Sequence, residues 1–137
     1  VASSFDAAGR PGGFMPRSVY VLVMVLASSG LPLLIWWLMV RMTQQGTLAL
    51  PNAGHWLAPP RRDGTLRFMR AHTAAFSLAL CVFMAHVNWL VAAANPVPRP
   101  AAAVAFDSTR FVIGLGAFLA FALAWVIVLV VRFARRR

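Results

Sequence analysis

The sequence predicts an all-α membrane protein with three transmembrane helices and no β-sheet. Of its 137 residues, 61% are hydrophobic, and the mean hydropathy of +0.74 excludes an ordinary soluble domain. Three apolar stretches are each long enough to cross a hydrocarbon core of about 30 Å at about 1.5 Å per residue. We therefore expect residues 1–137 to form one membrane domain, with no separate globular domain.

The predicted segments alternate between polar connections and spans. In order they are an extracytoplasmic segment 1–17, a transmembrane helix 18–40, a cytoplasmic loop 41–72, a transmembrane helix 73–94, an extracytoplasmic loop 95–110, a transmembrane helix 111–131 and a cytoplasmic tail 132–137. Pro32 lies inside the first span and predicts a kink there. Asp63 can cap a short helix that leads into the second span, and Asp107, Ser108 and Thr109 can cap the third.

The distribution of charge predicts the orientation. All thirteen basic residues are arginines and the net charge is +10. Four of them (Arg10, Arg17, Arg99 and Arg110) lie on the side of the N-terminal segment with Asp6 and Asp107. Positive residues stay cytoplasmic, so the opposite side, which holds Asp63 and nine arginines, faces the cytoplasm of a bacterial inner membrane. Those nine are Arg41, Arg61, Arg62, Arg67, Arg70, Arg132, Arg135, Arg136 and Arg137.

The position of this charge also predicts the partners. A strongly basic soluble protein would suggest nucleic acid, but here the arginines flank apolar spans. We therefore expect lipids and other membrane subunits as partners, and no nucleic acid.

The middle span carries small and polar residues on two opposite faces. At about 100° per residue, Ser77, Cys81 and Asn88 share one face, whereas His86 lies on the other with Ala75 and Ala79. Small residues let another backbone approach, and polar ones hydrogen-bond to it. One face can be covered by this chain's own helices, and the other would need a further helix, a partner subunit or a cofactor.

The third span has its own packing pattern. Gly116, Ala120 and Ala124 recur every four residues, which predicts a face for close helix packing.

His86 is the strongest candidate for a functional residue. An ionisable group inside a membrane helix is costly and often functional. A neutral imidazole there could ligate a haem iron or a bacteriochlorophyll magnesium, or join a proton path. The alternative is a neutral histidine that donates to a backbone carbonyl of a neighbouring helix. We expect no cofactor unless His86 binds one, and we interpret His55 and His72 as interfacial residues rather than metal ligands.

Four arginines of the first loop form a cluster that could bind lipid head groups or an acidic partner surface. The alternative is that they only determine topology. They are Arg61, Arg62, Arg67 and Arg70.

No pattern in the sequence indicates catalysis, so we predict that the protein is not an enzyme. Ser28 and Ser29 have no neighbouring base, and the chain has no phosphate loop, paired carboxylates or dinucleotide fingerprint. The single Cys81 excludes an internal disulfide and a cysteine metal cluster. All three acidic residues lie outside the predicted spans, which argues against a proton-coupled transporter.

The N-terminal segment resembles that of SdpI-like membrane proteins, named after the immunity protein against a sporulation-delaying toxin. The family pattern V-A-x-H-F-x-x-x-G-x-P-x-x-W is matched at Val1, Ala2, Phe5, Gly9 and Pro11. Ser4 replaces its His and Phe14 its Trp. A second block, similar to a loop of uncharacterised relatives, comprises Leu50-Pro51-Asn52, Trp56-Leu57-Ala58-Pro59 and Arg61-Arg62. The resemblance implies a four-helix parent whose first helix precedes Val1, and no enzyme activity.

The leading functional hypothesis is a non-catalytic accessory subunit of a larger respiratory or photosynthetic complex. An SdpI-like immunity or signalling protein that acts alone is the alternative. A haem or pigment subunit, with His86 as ligand, is a third.

Overall fold

The computed structural model describes residues 1–45, 50, 52–96 and 105–134. Three of the described helical stretches are long and apolar enough to cross a membrane, as expected for a membrane protein: Arg17–Met42, Pro59–Ala94 and Ser108–Ala134. The elements in chain order are β1 (Ala2–Phe5), β2 (Pro11–Phe14), α1 (Arg17–Val25), a π-helical turn (Leu26–Gly30), α2 (Leu31–Gln45), α3 (Ala53–Trp56), α4 (Pro59–Ala94) and α5 (Ser108–Ala134).

The N-terminal segment is a β-hairpin, so the prediction of an all-α fold without a β-sheet was wrong. Strands β1 and β2 pair antiparallel. The turn between them is built by Asp6, whose Oδ1 accepts hydrogen bonds from the backbone N–H groups of Ala8 (2.9 Å) and Arg10 (2.8 Å). Gly9 has a φ of +76°, a conformation that glycine adopts without steric cost. These local contacts let four-residue strands form.

The hairpin is also fastened to the helices. The Phe5 and Phe106 rings stack with centroids 4.7 Å apart. The Phe106 N–H donates to the Gly9 carbonyl at 2.9 Å. A Cβ at Gly9 would collide with the Phe106 carbonyl, so the close approach itself requires glycine. The hairpin thus caps the end of the bundle where α4 ends and α5 begins.

The first span is interrupted by the π-helical turn just before Pro32. Proline has no N–H, and in a regular α-helix its ring would clash with the carbonyl four residues earlier, that of Ser28. A wider turn at residues 26–30 relieves this clash. Where the sequence predicts a kink, the structure therefore has a π-helical turn just before Pro32.

Helix α4 begins at Pro59, well before residue 73, where the second span was predicted to start. Asp63 consequently lies inside the helix instead of capping it. At this end Asn52 Nδ2 and Trp56 Nε1 both donate to the Phe133 carbonyl, at 3.2 and 3.1 Å. That carbonyl lies in the last turn of the described part of α5. The predicted loop 41–72 is thus partly helical and closes the end of α5.

Helix α4 is the middle element of the bundle. The stretch from α1 to α2 packs on one flank of α4, and α5 packs on another. His86 contacts residue 110 and His72 contacts Trp125, so α4 and α5 run antiparallel. Parts of the predictions lie outside the described residues, namely Pro51 of the second sequence block, Arg99 of the second loop, and Arg135, Arg136 and Arg137 of the tail.

Candidate functional site

Asn88 joins the first span to α4. Tyr20 Oη donates to Asn88 Oδ1 at 3.1 Å, and Asn88 Nδ2 donates to Ser28 Oγ at 3.1 Å. Both ends of the Asn88 amide are therefore used inside the chain. In lipid, where water cannot replace a lost partner, such bonds fix which helix faces are in contact.

Cys81 and Ser77 lie about two and three turns from Asn88 on the same face of α4. The Cys81 thiol donates to the Ser28 carbonyl at 3.5 Å, and the Ser77 hydroxyl donates to the Pro32 carbonyl at 3.4 Å. Pro32 cannot supply the helical N–H that the Ser28 carbonyl would accept in an α-helix. The polar face of α4 thus bonds one carbonyl of the π-helical turn, that of Ser28, and one carbonyl of the first turn of α2, that of Pro32.

His86 contacts α5. Its Nε2 lies 3.1 Å from the carbonyl of Arg110, and because a carbonyl only accepts, Nε2 carries the proton. A Cβ at Gly114 would come within 2.5 Å of His86 Cδ2, so the ring fits only against a glycine. This is the arrangement in which a neutral histidine bonds a neighbouring helix. A haem iron or bacteriochlorophyll magnesium at Nε2 would have to displace the Arg110 carbonyl.

His72 and Trp125 form a reciprocal pair between α4 and α5. His72 Nε2 lies 3.0 Å from the Trp125 carbonyl, and Trp125 Nε1 donates to the His72 carbonyl at 2.8 Å. Their rings stack with centroids 4.4 Å apart and an interplanar angle of 10°. His72 was expected at the membrane interface without a partner. No signal in the sequence predicts the pair, because His72 lies just outside the predicted span 73–94 and Trp125 lies well inside the predicted span 111–131.

Aromatic rings form a further part of the α4–α5 contact. Phe76 lies 5.1 Å from Trp125 and 6.0 Å from Phe118, and Phe83 stacks on Phe118 at 4.9 Å, all between ring centroids. Pairs at these separations stabilise by about 0.5–1.5 kcal/mol each beyond the area they bury. Both flanks of α4 are therefore occupied by this chain's own helices.

The small residues of α5 face away from the rest of the chain. Gly116, Ala120 and Ala124 are exposed, and no atom lies within 4 Å of the position that a Cβ on Gly116 would take. The predicted packing face of the third span is thus uncovered by the described residues. The polar face of α4, by contrast, is covered by the first span.

The predicted arginine cluster lies on the surface of the first half of α4. Arg61, Arg62, Arg67 and Arg70 are exposed. Within the described part of the chain, the ion pairs join Arg10 to Asp6 and Arg110 to Asp107, and none involves this cluster. Arg61 Nη1 lies 3.4 Å from His55 Nδ1. The cluster therefore presents positive charge at the surface of α4.

The described residues contain no group of three or more His, Cys, Asp or Glu side chains that could hold a metal ion. Comparison with protein-family models, curated proteins and solved structures found no match.

Proposed function

We propose that this chain is a non-catalytic accessory subunit of a larger bacterial inner-membrane complex, respiratory or photosynthetic. The observation that carries the proposal is that α4 packs within the chain whereas α5 exposes a face suited to packing against another helix. The polar groups of α4 make hydrogen bonds within the chain, such as Asn88 with Tyr20. The small-residue face of α5 has no neighbour among the described residues, and such faces are typical of interhelical contacts in membranes.

A packing role also accounts for the polar side chains inside the helices. His86 and His72 each meet a backbone carbonyl of α5, and Ser77 and Cys81 each donate to a carbonyl of the first span. These groups stabilise the bundle and are not arranged as nucleophile and base. The exposed arginines at the predicted cytoplasmic end would hold the subunit at the membrane surface or against an acidic neighbour.

Purification from native membranes in a mild detergent tests this function. The tagged chain should copurify with a defined set of membrane subunits, and the double variant Gly116→Leu/Ala120→Leu should lose them. Ala92→Leu is the matched control, because Ala92 is exposed on α4 and lies away from the α5 face. A chain that runs as a lone monomer, with no copurifying subunit, would contradict the proposal.

The folded hairpin favours a second candidate, an SdpI-like immunity or signalling protein that acts alone. The segment that carries the resemblance lines part of an open pocket of about 460 Å³ through Phe5 and Asp6, and Val91 and Phe106 are among the other lining residues. A short extracytoplasmic peptide could be sensed there. Unchanged sensitivity to peptide toxins after deletion of the gene would remove this candidate.

A further inference from the structure

An open groove of about 620 Å³ runs between α4 and α5 on the side that the first span leaves uncovered. Its walls are apolar except for His86, and small residues make it deep. The residues that set its depth are Ala75, Ala79, Gly114 and Ala117. His86 offers no free N–H group to the groove, because its Nε2 donates to the Arg110 carbonyl. The groove therefore fits a purely hydrocarbon occupant.

The length of the groove matches one lipid leaflet. From Ala75 to His86 it extends for roughly 17 Å at about 1.5 Å per residue, similar to the ~15 Å of one leaflet's hydrocarbon. An extended acyl chain lying along it would contact the small residues of both helices at van der Waals distance.

The mouth of the groove carries both signs of charge. The His86 ring lies 6.2 Å from the Trp89 ring, and the Arg110 guanidinium carbon lies 5.6 Å above that indole. Arg110 Nε is 3.2 Å from Asp107 Oδ2, and the two side chains are 62% and 43% exposed. Trp89 is exposed beside them, and indole rings favour the head-group level.

We propose that this groove binds a zwitterionic phospholipid with an amine head group. One acyl chain lies between α4 and α5, the phosphate contacts Arg110, and the ammonium contacts Asp107. A purely anionic head group would gain from Arg110 but would be repelled by Asp107, so the charge pair favours the zwitterionic lipid. This site goes beyond the proposed function, since it uses a different face from Gly116, Ala120 and Ala124.

Photolabelling of the purified chain in nanodiscs tests the site. The probe is phosphatidylethanolamine with a diazirine in one acyl chain, and labelled residues are mapped by mass spectrometry. Labels should concentrate on residues 75–82 and 114–121. The variant Ala79→Leu/Ala117→Leu fills the groove and should abolish this enrichment, whereas Ala85→Leu, an exposed alanine of α4 outside the groove, should not.

Competition with unlabelled lipids tests which head group the site prefers. Unlabelled phosphatidylethanolamine should displace the probe better than phosphatidylglycerol, and Arg110→Gln should lower groove labelling about fivefold, the loss expected for one charge contact. Arg17→Gln, an exposed arginine at the same end of the bundle, should not. Labels spread evenly over α2, α4 and α5, equal competition by both lipids, or cross-links from the groove to a second protein chain would each overturn the proposal.

Discussion

Asn95 holds Ala2 by two hydrogen bonds that run in opposite directions. The Ala2 N–H donates to Asn95 Oδ1 at 2.7 Å, and Asn95 Nδ2 donates to the Ala2 carbonyl at 3.1 Å. Asn95 Nδ2 also lies 2.9 Å from the Val91 carbonyl, so the same amide closes the last turn of α4. The side chain pairs with strand β1 as a neighbouring strand would, and it ties the N-terminal hairpin to the end of α4.

Replacing Asn95 by alanine should loosen the hairpin without unfolding the helices. Two hydrogen bonds contribute about 1 kcal/mol each, so amide exchange in residues 2–5 should accelerate roughly tenfold or more. Hydrogen exchange with mass spectrometry in detergent measures this. The control Asn52→Ala removes an amide at the opposite end of the bundle. Equal acceleration in both variants, or none in Asn95→Ala, would contradict the clamp.

Gly114 and Gly116 should respond oppositely to alanine. Gly114→Ala forces a Cβ onto the His86 ring, which should lower the free energy of unfolding by about 1–3 kcal/mol. Gly116→Ala meets open space and should be neutral or stabilising by up to about 1 kcal/mol through helix propensity. Unfolding in a denaturing detergent gives both values. The double variant Gly114→Ala/His86→Ala should recover part of the loss, and strictly additive effects would show that the two residues do not meet.

The Tyr20–Asn88 bond should appear as a coupling energy. Tyr20→Phe and Asn88→Ala each remove one partner, and interhelical hydrogen bonds in membranes average about 0.6 kcal/mol. A double-mutant cycle should therefore return about that coupling. The cycle of Tyr20→Phe with Ser77→Ala, whose bond goes to Pro32 instead, should return none. A coupling energy of zero between Tyr20 and Asn88 would contradict a contact between the first span and α4 at this depth.

The hairpin should weaken in acid. Hydrogen bonding from the Arg10 backbone N–H, assisted by the Arg10 side chain and the Ala8 N–H, lowers the pKa of the Asp6 carboxyl. A depressed pKa means that the stabilisation is fully present above the ordinary aspartate value, near 3.9, and is lost as the pH falls through the lowered pKa. NMR shifts of the Ala8 and Arg10 amides should titrate there. Asp6→Asn should remove that titration, and a midpoint above the ordinary value would contradict the turn geometry.

Hydropathy alone predicted the three spans, because the apolar length of a helix is a local property of the chain. Pro32 itself predicted a kink in the first span, because a missing N–H is a property of one residue, and the structure has a π-helical turn just before it. The hairpin escaped prediction because its strands are four residues long and much of its stability comes from Asn95 and Phe106, far away in sequence. A polar, Gly/Pro-rich segment does not reveal such partners.

The site was predicted unevenly for the same reason. Helical periodicity placed Ser77, Cys81 and Asn88 on one face, and the structure puts all three against the first span. Helical periodicity could not predict that α5 packs against the face of α4 that carries His86, because that contact depends on Gly114 lying opposite the imidazole. The His72–Trp125 pair likewise required the register of two antiparallel helices.

The most direct test of the accessory-subunit proposal is photo-crosslinking in native membranes from a residue placed at Ala120. The proposal predicts a discrete adduct between this position and another membrane subunit. A photoreactive residue at Leu119, which is exposed on the flank of α5 about a quarter-turn away, should give lipid adducts only. Lipid adducts alone at both positions, in membranes where the chain is intact, would contradict the account.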